Sequence, residues 1–229
     1  LAGRAEVREP VPTLEVSVKL SALGQALGRD GGEKIALDNA RAICERALRA
    51  GVWVTVDAED HTTTDSTLSV VRELHADFDW VGTVLQAYLK RTPADCEQFA
   101  HTRIRLCKGA YDEPASVAYR EPAEITDSYL RCLRTLIAGD GYPMVASHDP
   151  VIVAAVPALA AEFDRGQRPL RVPDALRHPR RRAAQAHRCG GSSVRVYVPF
   201  GTQWYGYLVR RLAERPANLM FFLRALLDR

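Results

Sequence analysis

The feature that most constrains the fold of this chain is a regular alternation of short apolar runs with longer amphipathic patterns. The pattern at 33–51 has the period of a helix and ends at a glycine, as helices commonly do, and 63–77 and 127–139 repeat the design. Strand-like runs separated by helices at this spacing indicate βαβ units and a parallel sheet. Six runs have the pattern of strands: LEVSVKLS (14–21), VWVTVDAE (52–59), VGTVLQAYL (81–89), RIRLCKGA (103–110), YPMVASHD (142–149) and VRVYVPFG (194–201).

Polar side chains stand at the carboxyl ends of these runs, which favours either a barrel or a doubly wound sheet. No GxGxxG motif follows a strand, and this weakens the dinucleotide-binding alternative. In a barrel, the active site lies where the strands end. Taken singly, Asp57 could cap the next helix and Lys19 could extend along apolar surface, but the repetition indicates one shared site. The candidates are Lys19, Asp57, Gln86, Arg105 with Lys108, His148 with Asp149, and Tyr197.

Composition excludes several classes of protein. The 229 residues are 47% hydrophobic and 26% charged, which is typical of a globular chain, and no apolar run approaches the length of a membrane span. Five dispersed cysteines predict a reducing cytoplasm rather than a disulfide framework. Neither the cysteines nor the six histidines have the spacing of metal ligands, so no metal is predicted.

Two adjacent arginines interrupt an apolar helical pattern near the C-terminus. In YGYLVRRLAERPAN (205–218), Tyr207, Arg210, Arg211 and Glu214 project from one helical face. Paired guanidinium groups suit a carboxylate or a phosphate, which they bind with two parallel hydrogen bonds. The alternative is a solvated face on which Glu214 forms a salt bridge.

Six longer motifs contain these candidate residues: SVKLSALG (17–24), VTVDAEDHTTTDSTL (54–68), VLQAYLKR (84–91), RIRLCKGAY (103–111), YPMVASHDP (142–150) and VRVYVPFGTQWYGYLVRRLAERPAN (194–218). In this order they resemble the flavin-dependent proline dehydrogenases of the short, monofunctional bacterial type. The resemblance covers most of the chain. It implies an α/β fold, an incomplete and distorted (β/α)8 TIM barrel that forms a single domain over residues 1–229.

The resemblance also implies an activity and its partners. The family binds FAD noncovalently, oxidises L-proline to Δ1-pyrroline-5-carboxylate and passes the electrons to a membrane quinone. A pyrroline-5-carboxylate dehydrogenase then acts downstream, and the enzyme is cytoplasmic or peripheral at the inner face of the membrane. No metal and no nucleic acid take part.

Site residues follow from the same resemblance. Arg210 and Arg211 would bind the proline carboxylate, with Lys19 nearby and oriented by Asp57. Tyr207 and Tyr197 would enclose the ring, and a tyrosine at position 197 implies a preference for L-proline over 4-hydroxyproline. The implied flavin ligands are Arg105 near N5, Gln86 at the ring edge, Lys108, Gly109, Ala110 and Tyr111 along the flavin, and Ser147 and His148 towards the diphosphate and adenosine.

Two segments depart from the family pattern. The chain opens with LAGRAEVREPVPT, close to the second strand of the family, so the first strand is expected to be absent. The 165–188 segment holds eight arginines and one acid, a net charge of +7, where the family has a strand and a helix. Shifting the reading frame of plausible codons recovers F-Q-M-L-Y-G and I-R-A-D-E-Q-R-R-L. This favours a compensated pair of frameshifts over a nucleic-acid site.

This frameshift hypothesis makes a structural prediction. Residues 166–193 should form loop or irregular helix and leave a gap in the sheet, because proline is excluded from central strands. A central strand within this range would contradict the hypothesis. Two other functions stay open: a non-catalytic remnant that cannot complete the barrel, and a different flavin barrel enzyme such as a methylenetetrahydrofolate reductase, which should lack the Tyr-x-x-Arg-Arg motif.

Overall fold

A computed structural model describes residues 14–27, 31–164, 171–174 and 193–196. Its strands form one sheet in which the order along the sheet is the order along the chain. The pairs from β1–β2 to β5–β6 are all parallel. The seven strands are β1 (Glu15–Val18), β2 (Trp53–Val56), β3 (Gly82–Gln86), β4 (Arg103–Cys107), β5 (Tyr142–Ala146), β6 (Arg171–Asp174) and β7 (Ser193–Val196).

Five α-helices connect the first six strands, so the predicted βαβ alternation is confirmed. Local signals define their ends. Proline occupies the first turn of α3, α4 and α5, where its missing N–H costs nothing, and α1 ends at Gly51 in the left-handed conformation. The helices are α1 (Gly32–Ala50), α2 (Thr64–Asp77), α3 (Thr92–Phe99), α4 (Pro122–Ala138) and α5 (Pro150–Glu162), with 3-10 turns at Leu20–Leu23 and His61–Thr63.

The core lies between the strands and the apolar faces of the helices. All five residues of β3 are buried, as expected for a parallel strand covered on both faces. The buried Tyr129 of α4 shows how a helix is fixed to the sheet, since its hydroxyl donates to the carbonyl of Leu106 at 2.7 Å. One apolar cluster therefore joins the helices to the strands.

The sheet is curled, because side chains of strands that are not neighbours meet on one face. Glu15 of β1 pairs with Arg103 of β4, with 3.3 Å between carboxylate and guanidinium. Ser17 of β1 accepts a hydrogen bond from Arg105 of β4 at 3.0 Å. A flat sheet would hold β1 and β4 roughly 14 Å apart, at about 4.8 Å per strand. The curl and the chain-order pairing are those of a TIM-type barrel, so the predicted fold class is confirmed.

The prediction that residues 166–193 contain no strand is wrong. Arg171–Asp174 forms β6, which lies between β5 and β7 in the sheet order and pairs in parallel at Met144 and Arg171. Pro173 lies within this strand, and Pro143 lies within β5. A proline costs at most one ladder hydrogen bond, because the N–H of a strand residue faces one neighbour only. The strand counts against the frameshift hypothesis. Apart from Ser193, which begins β7, the rest of 166–193 lies outside the described residues.

Two findings concern the chain as a whole. It divides into two compact units, Leu1–Arg195 and Val196–Arg229, and apart from Val196 the second unit lies outside the described residues. The expectation of a single domain over 1–229 therefore stays a prediction. None of the helices described is long and apolar enough to cross a membrane.

Candidate functional site

The first five strands present polar residues at their carboxyl ends. Lys19 follows β1, Asp57 follows β2, Gln86 ends β3, Lys108 follows β4, and Ser147 follows β5. Each of the first five strands is shorter than its sequence pattern suggested, so most of these residues stand in the loops that leave the sheet. Parallel strands bring these ends to one edge, and the sequence prediction of a shared mouth agrees with this arrangement.

Arg105 is held at this mouth by two groups from other parts of the sheet. Its guanidinium forms a salt bridge with the carboxylate of Asp57 and donates to the hydroxyl of Ser17 at 3.0 Å. Both charged side chains are about 85% shielded from solvent. Two of the predicted site residues are thus brought together, and the position of the guanidinium is set by groups on β1 and in the loop after β2.

Lys19 lies in a second charged group at the mouth. Its ammonium lies 3.5 Å from the Tyr111 hydroxyl and 3.7 Å from the Glu59 carboxylate. Glu59 in turn accepts hydrogen bonds from the Ser21 hydroxyl at 2.8 Å and the Ser21 backbone N–H at 3.2 Å. Burial acts to lower the pKa of Lys19, but Tyr111 and Glu59 outweigh it and the pKa is raised. Lys19 therefore stays cationic at neutral pH.

Glu59 is a site residue that the sequence analysis missed. The expectation was that Asp57 orients Lys19, and that role stays a prediction, since the salt bridge observed for Asp57 is with Arg105. The available signal was a second acid two residues beyond the first, in VDAED at the end of β2. That spacing does not indicate which of the two acids, Asp57 or Glu59, pairs with Lys19.

Lys108 follows β4 and is held by groups from α4 and from the N-terminus of α5. Its ammonium donates to Asp149 at 2.6 Å and to the Thr126 hydroxyl at 3.0 Å. The hydrogen bond from Lys108 lowers the pKa of Asp149, which also caps α5 by accepting from the N–H of Val151 at 2.9 Å. Ser147 is buried beside this group, and its hydroxyl accepts from the N–H of Asp149 at 3.1 Å.

Gly109 is required by both backbone and space. Its φ of 117° lies in the left-handed region, and a Cβ at this position would come within 2.3 Å of the Tyr88 ring. The turn at Gly109 leads the chain to Ala110 and Tyr111, which are exposed at the mouth. The backbone here is accessible to a bound ligand.

The remaining predicted residues differ in exposure. Gln86 is buried, and its backbone carbonyl accepts from the Thr92 hydroxyl at 2.6 Å. His148 is exposed. Cys107 has no predicted chemical role, and burial raises the pKa of its thiol to about 11, which keeps it protonated and unreactive at neutral pH. Tyr197, Tyr207, Arg210 and Arg211 lie outside the described residues.

The charged groups described at the mouth supply fixed hydrogen-bond donors. Three cations, Lys19, Arg105 and Lys108, are each held by a carboxylate. In the part of the chain that the structure describes, no group of three or more histidine, cysteine, aspartate or glutamate side chains could hold a metal ion. Each of these three pairs is neutral overall, so the arrangement offers oriented N–H donors rather than net positive charge.

Residues 2–224 match the family model described as proline dehydrogenase. The chain belongs to this family. A proline dehydrogenase of Deinococcus radiodurans is 39% identical over 217 residues, covering 93% of this chain and 69% of the relative. Proline dehydrogenase 1 of Bacillus subtilis strain 168 is 36% identical over 219 residues, covering 94% of this chain and 70% of the relative. These relatives make the chain an enzyme of the oxidoreductase class.

A solved structure supports the fold of the proline dehydrogenase family. Proline utilization A from Bdellovibrio bacteriovorus, in a crystal structure of the protein inactivated by N-propargylglycine, matches with a TM-score of 0.75 and 26% identity. The match covers 90% of this chain. This chain spans about a quarter, 26%, of that larger protein.

Proposed function

We propose that this chain oxidises L-proline to Δ1-pyrroline-5-carboxylate with FAD as its cofactor, the first step of proline catabolism. The electrons then pass to a quinone, and a pyrroline-5-carboxylate dehydrogenase consumes the product. The observation that carries the proposal is the fixed Arg105 guanidinium at the strand ends, in a chain that belongs to the proline dehydrogenase family. A quinone acceptor is consistent with a cytoplasmic enzyme that contacts the inner face of the membrane peripherally.

The donor set of the mouth fits FAD. A flavin ring presents carbonyl and nitrogen acceptors at its edge, and the dinucleotide presents a diphosphate. Gln86 and Arg105 supply donors of the first kind, whereas Lys108 and the Ser147 hydroxyl supply donors for the second. The positive φ at Gly109 turns the backbone from β4 towards Ala110 and Tyr111, which are exposed at the mouth. When bound, FAD would supply the electron-pair acceptor that the protein itself lacks.

Substrate binding falls to the remaining cations. Arg210 and Arg211 would hold the proline carboxylate with their planar forks, and Lys19 would add a third positive charge. Because the pKa of Lys19 is raised, this residue acts as a cation towards the carboxylate rather than as a base towards the ring nitrogen. Tyr197 and Tyr207 would enclose the ring, and Asp57 would fix Arg105. The ring nitrogen must lose its proton before a hydride can leave the neighbouring carbon.

The test is made on the purified full chain. The expected result is a yellow protein with a flavin spectrum that reduces a dye in the presence of L-proline, with 4-hydroxyproline turned over much more slowly. A colourless protein without proline-dependent dye reduction after incubation with FAD would favour the non-catalytic remnant. The Arg210→Ala variant is expected to lose about 2–5 kcal/mol of proline binding, because an unpaired carboxylate would stay in the site.

A second assay uses the inhibitor named for the Bdellovibrio protein. N-propargylglycine is a secondary amine with a carboxylate, as proline is, so it should compete for the same cations. Time-dependent loss of the dye-reducing activity, slowed by added L-proline, is the expected outcome. Inactivation that L-proline does not slow would place the inhibitor outside the proposed substrate site.

A further inference from the structure

Glu113 is a buried carboxylate that no part of the reaction described above uses. Only 6% of the residue is exposed. Its carboxylate accepts hydrogen bonds from the His61 backbone N–H at 2.9 Å and from the Tyr88 hydroxyl at 3.2 Å, and it contacts Nδ1 of the His61 ring. A buried charge is tolerated only when hydrogen bonds replace its water, so these contacts hold the carboxylate in one place.

These contacts join three consecutive loops at the mouth of the sheet. His61 belongs to the loop after β2, Tyr88 to the loop after β3, and Glu113 to the loop after β4. The Glu113 carbonyl also accepts from Arg120 at 2.9 Å, which ties the beginning of the β4 loop to its end. Burial and the Glu113 carboxylate raise the pKa of Tyr88 above its usual range, so the tyrosine stays protonated and donates.

The joined loops include the 108–111 segment, which carries candidate ligands for both cofactor and substrate. Tyr111 lies two residues before Glu113, and its hydroxyl contacts Lys19 at 3.5 Å. The Tyr88 hydroxyl donates to Glu113, and the ring of the same side chain lies against Gly109. The carboxylate therefore acts on both ends of the turn that leads from β4 to the mouth.

We propose that Glu113 is a positioning residue: with His61 and Tyr88 it fixes the 108–111 segment so that Lys108 and Tyr111 face their ligands. This inference rests on the proposed function of that segment. Glu113 contacts neither substrate nor cofactor in this role. A misplacement of about 1 Å in a positioned group can cost roughly 100-fold in rate, so an anchor of this kind has a measurable effect on catalysis.

The chain contains a matched control for this role. Asp112 is the adjacent carboxylate in the same loop, but its side chain is 88% exposed and pairs with Arg120 at the surface. Glu113→Ala removes the carboxylate that contacts His61 and Tyr88 of the two other loops, whereas Asp112→Ala removes a neighbouring carboxylate that pairs with Arg120 of the same loop. Tyr88→Phe removes a single hydroxyl from the Glu113 contacts and almost no volume, so it serves if Glu113→Ala does not fold.

The first measurement is amide hydrogen exchange of the full chain, which does not depend on any activity. Glu113→Ala and, more weakly, Tyr88→Phe should speed exchange in residues 108–113 and leave α4 (Pro122–Ala138) as it is in the unmodified chain. Asp112→Ala should match the unmodified chain in both regions. Unchanged exchange in 108–113, or equally faster exchange throughout, would overturn the proposal, whether or not the chain oxidises proline.

The second measurement separates KM from kcat at saturating FAD. A loosened 108–111 segment raises the KM for L-proline and weakens FAD retention, whereas a merely unstable protein loses kcat as its active fraction falls. For Glu113→Ala the expected loss in kcat/KM is roughly 10- to 100-fold, carried mainly by KM. Asp112→Ala should stay within about twofold, as surface substitutions do. A loss confined to kcat in both Glu113→Ala and Tyr88→Phe would overturn the positioning role.

Discussion

Arg103 and Arg105 lie two residues apart on β4, and their side chains point to the same concave face of the sheet. Each forms a salt bridge with a carboxylate from an earlier strand or its loop, Arg103 with Glu15 and Arg105 with Asp57. The first pair lies where β1 and β4 begin, and the second lies nearer the mouth, between the middle of β4 and the residue that follows β2. In barrel proteins the strand ends carry the chemistry and the strand beginnings carry stability.

The base of the sheet encloses its arginine in aromatic rings. The Arg103 guanidinium lies 3.7 Å from the centre of the Trp53 ring and 5.9 Å from that of Tyr142, and the two rings meet edge to face at 5.7 Å. Less than a tenth of the side-chain surface of Glu15, and of Arg103, is exposed to solvent. A cation so enclosed contributes through packing and its own ion pair.

The mouth surrounds its arginine with polar groups instead. Asp57 and the Ser17 hydroxyl hold Arg105, and the loops carrying Lys19 and Tyr111 lie at the same edge of the sheet. The same residue type is thus a packing element where β4 begins and a ligand candidate two residues further along the strand. The surroundings of the two arginines differ: aromatic rings pack around Arg103, whereas polar groups surround Arg105.

The largest effect is expected from removing the acid at the base. Glu15→Ala should lower the free energy of unfolding by about 3–5 kcal/mol, because the Arg103 guanidinium would stay buried without its carboxylate. Urea denaturation followed by fluorescence measures the change. In the double variant Glu15→Met, Arg103→Met most of the stability should return, since apolar groups then replace the whole pair. A double variant as unstable as the single one would show that the ion pair is not the cause.

The corresponding change at the mouth should reduce activity more than stability. Arg105→Met is expected to lower kcat for L-proline by roughly 100- to 1,000-fold, the usual loss when one fixed donor to developing charge is removed. Arg105→Lys keeps the charge but not the planar fork, and should recover part of the activity at most. Steady-state dye reduction and thermal melting of each variant separate the two effects. A melting-temperature loss as large as that of Glu15→Ala would remove the distinction between the two ends.

Two glycines with positive φ sharpen the contrast between mouth and periphery. Gly109→Ala strains the backbone and drives a methyl group into the Tyr88 ring, so it should cost about 1–3 kcal/mol of stability and also reduce FAD binding. Gly51, at the end of α1, also has a positive φ of 62°, but a Cβ added there would meet no atom within 4 Å. Gly51→Ala should cost only about 1 kcal/mol. Flavin fluorescence titration and thermal melts measure both; equal FAD affinities would contradict the role of the turn.

The smallest effect concerns pH and the cap of α5. The folded pKa of Asp149 is depressed, mainly by Lys108, so its contribution is present above the unfolded pKa of about 3.9 and is lost as pH falls through the lower folded value. Asp149→Ala should cost about 1 kcal/mol at pH 7, a typical value for a helix cap, and nothing in strong acid. In Lys108→Met the acid loss should begin at higher pH. Melting temperatures between pH 2 and 7 test this, and parallel curves for the three proteins would refute it.

The sequence by itself determined the alternation of strands and helices, the parallel sheet and the polar strand ends, whereas the order of the strands in the sheet came from the structure. Lys19, Asp57, Gln86 and Lys108 could be assigned to the mouth because each closes a local apolar run, and local periodicity reports the direction of the backbone. The same reasoning failed at β6, where Pro173 was taken to exclude a strand. A strand is decided by the neighbours that pair with it as much as by its own composition.

Only the tertiary structure decided which charges meet. Asp57 and Arg105 are 48 residues apart, Lys19 and Tyr111 are 92 apart, and His61 and Glu113 are 52 apart. Nothing in the local sequence pattern distinguishes Glu113 from Asp112. Glu113 is buried where three loops meet, whereas the adjacent Asp112 is exposed to solvent. The curl of the sheet sets these distances, because it brings strands that are not neighbours onto one face. Partner choice is therefore a property of the curled sheet, whereas strand ends are a property of the chain.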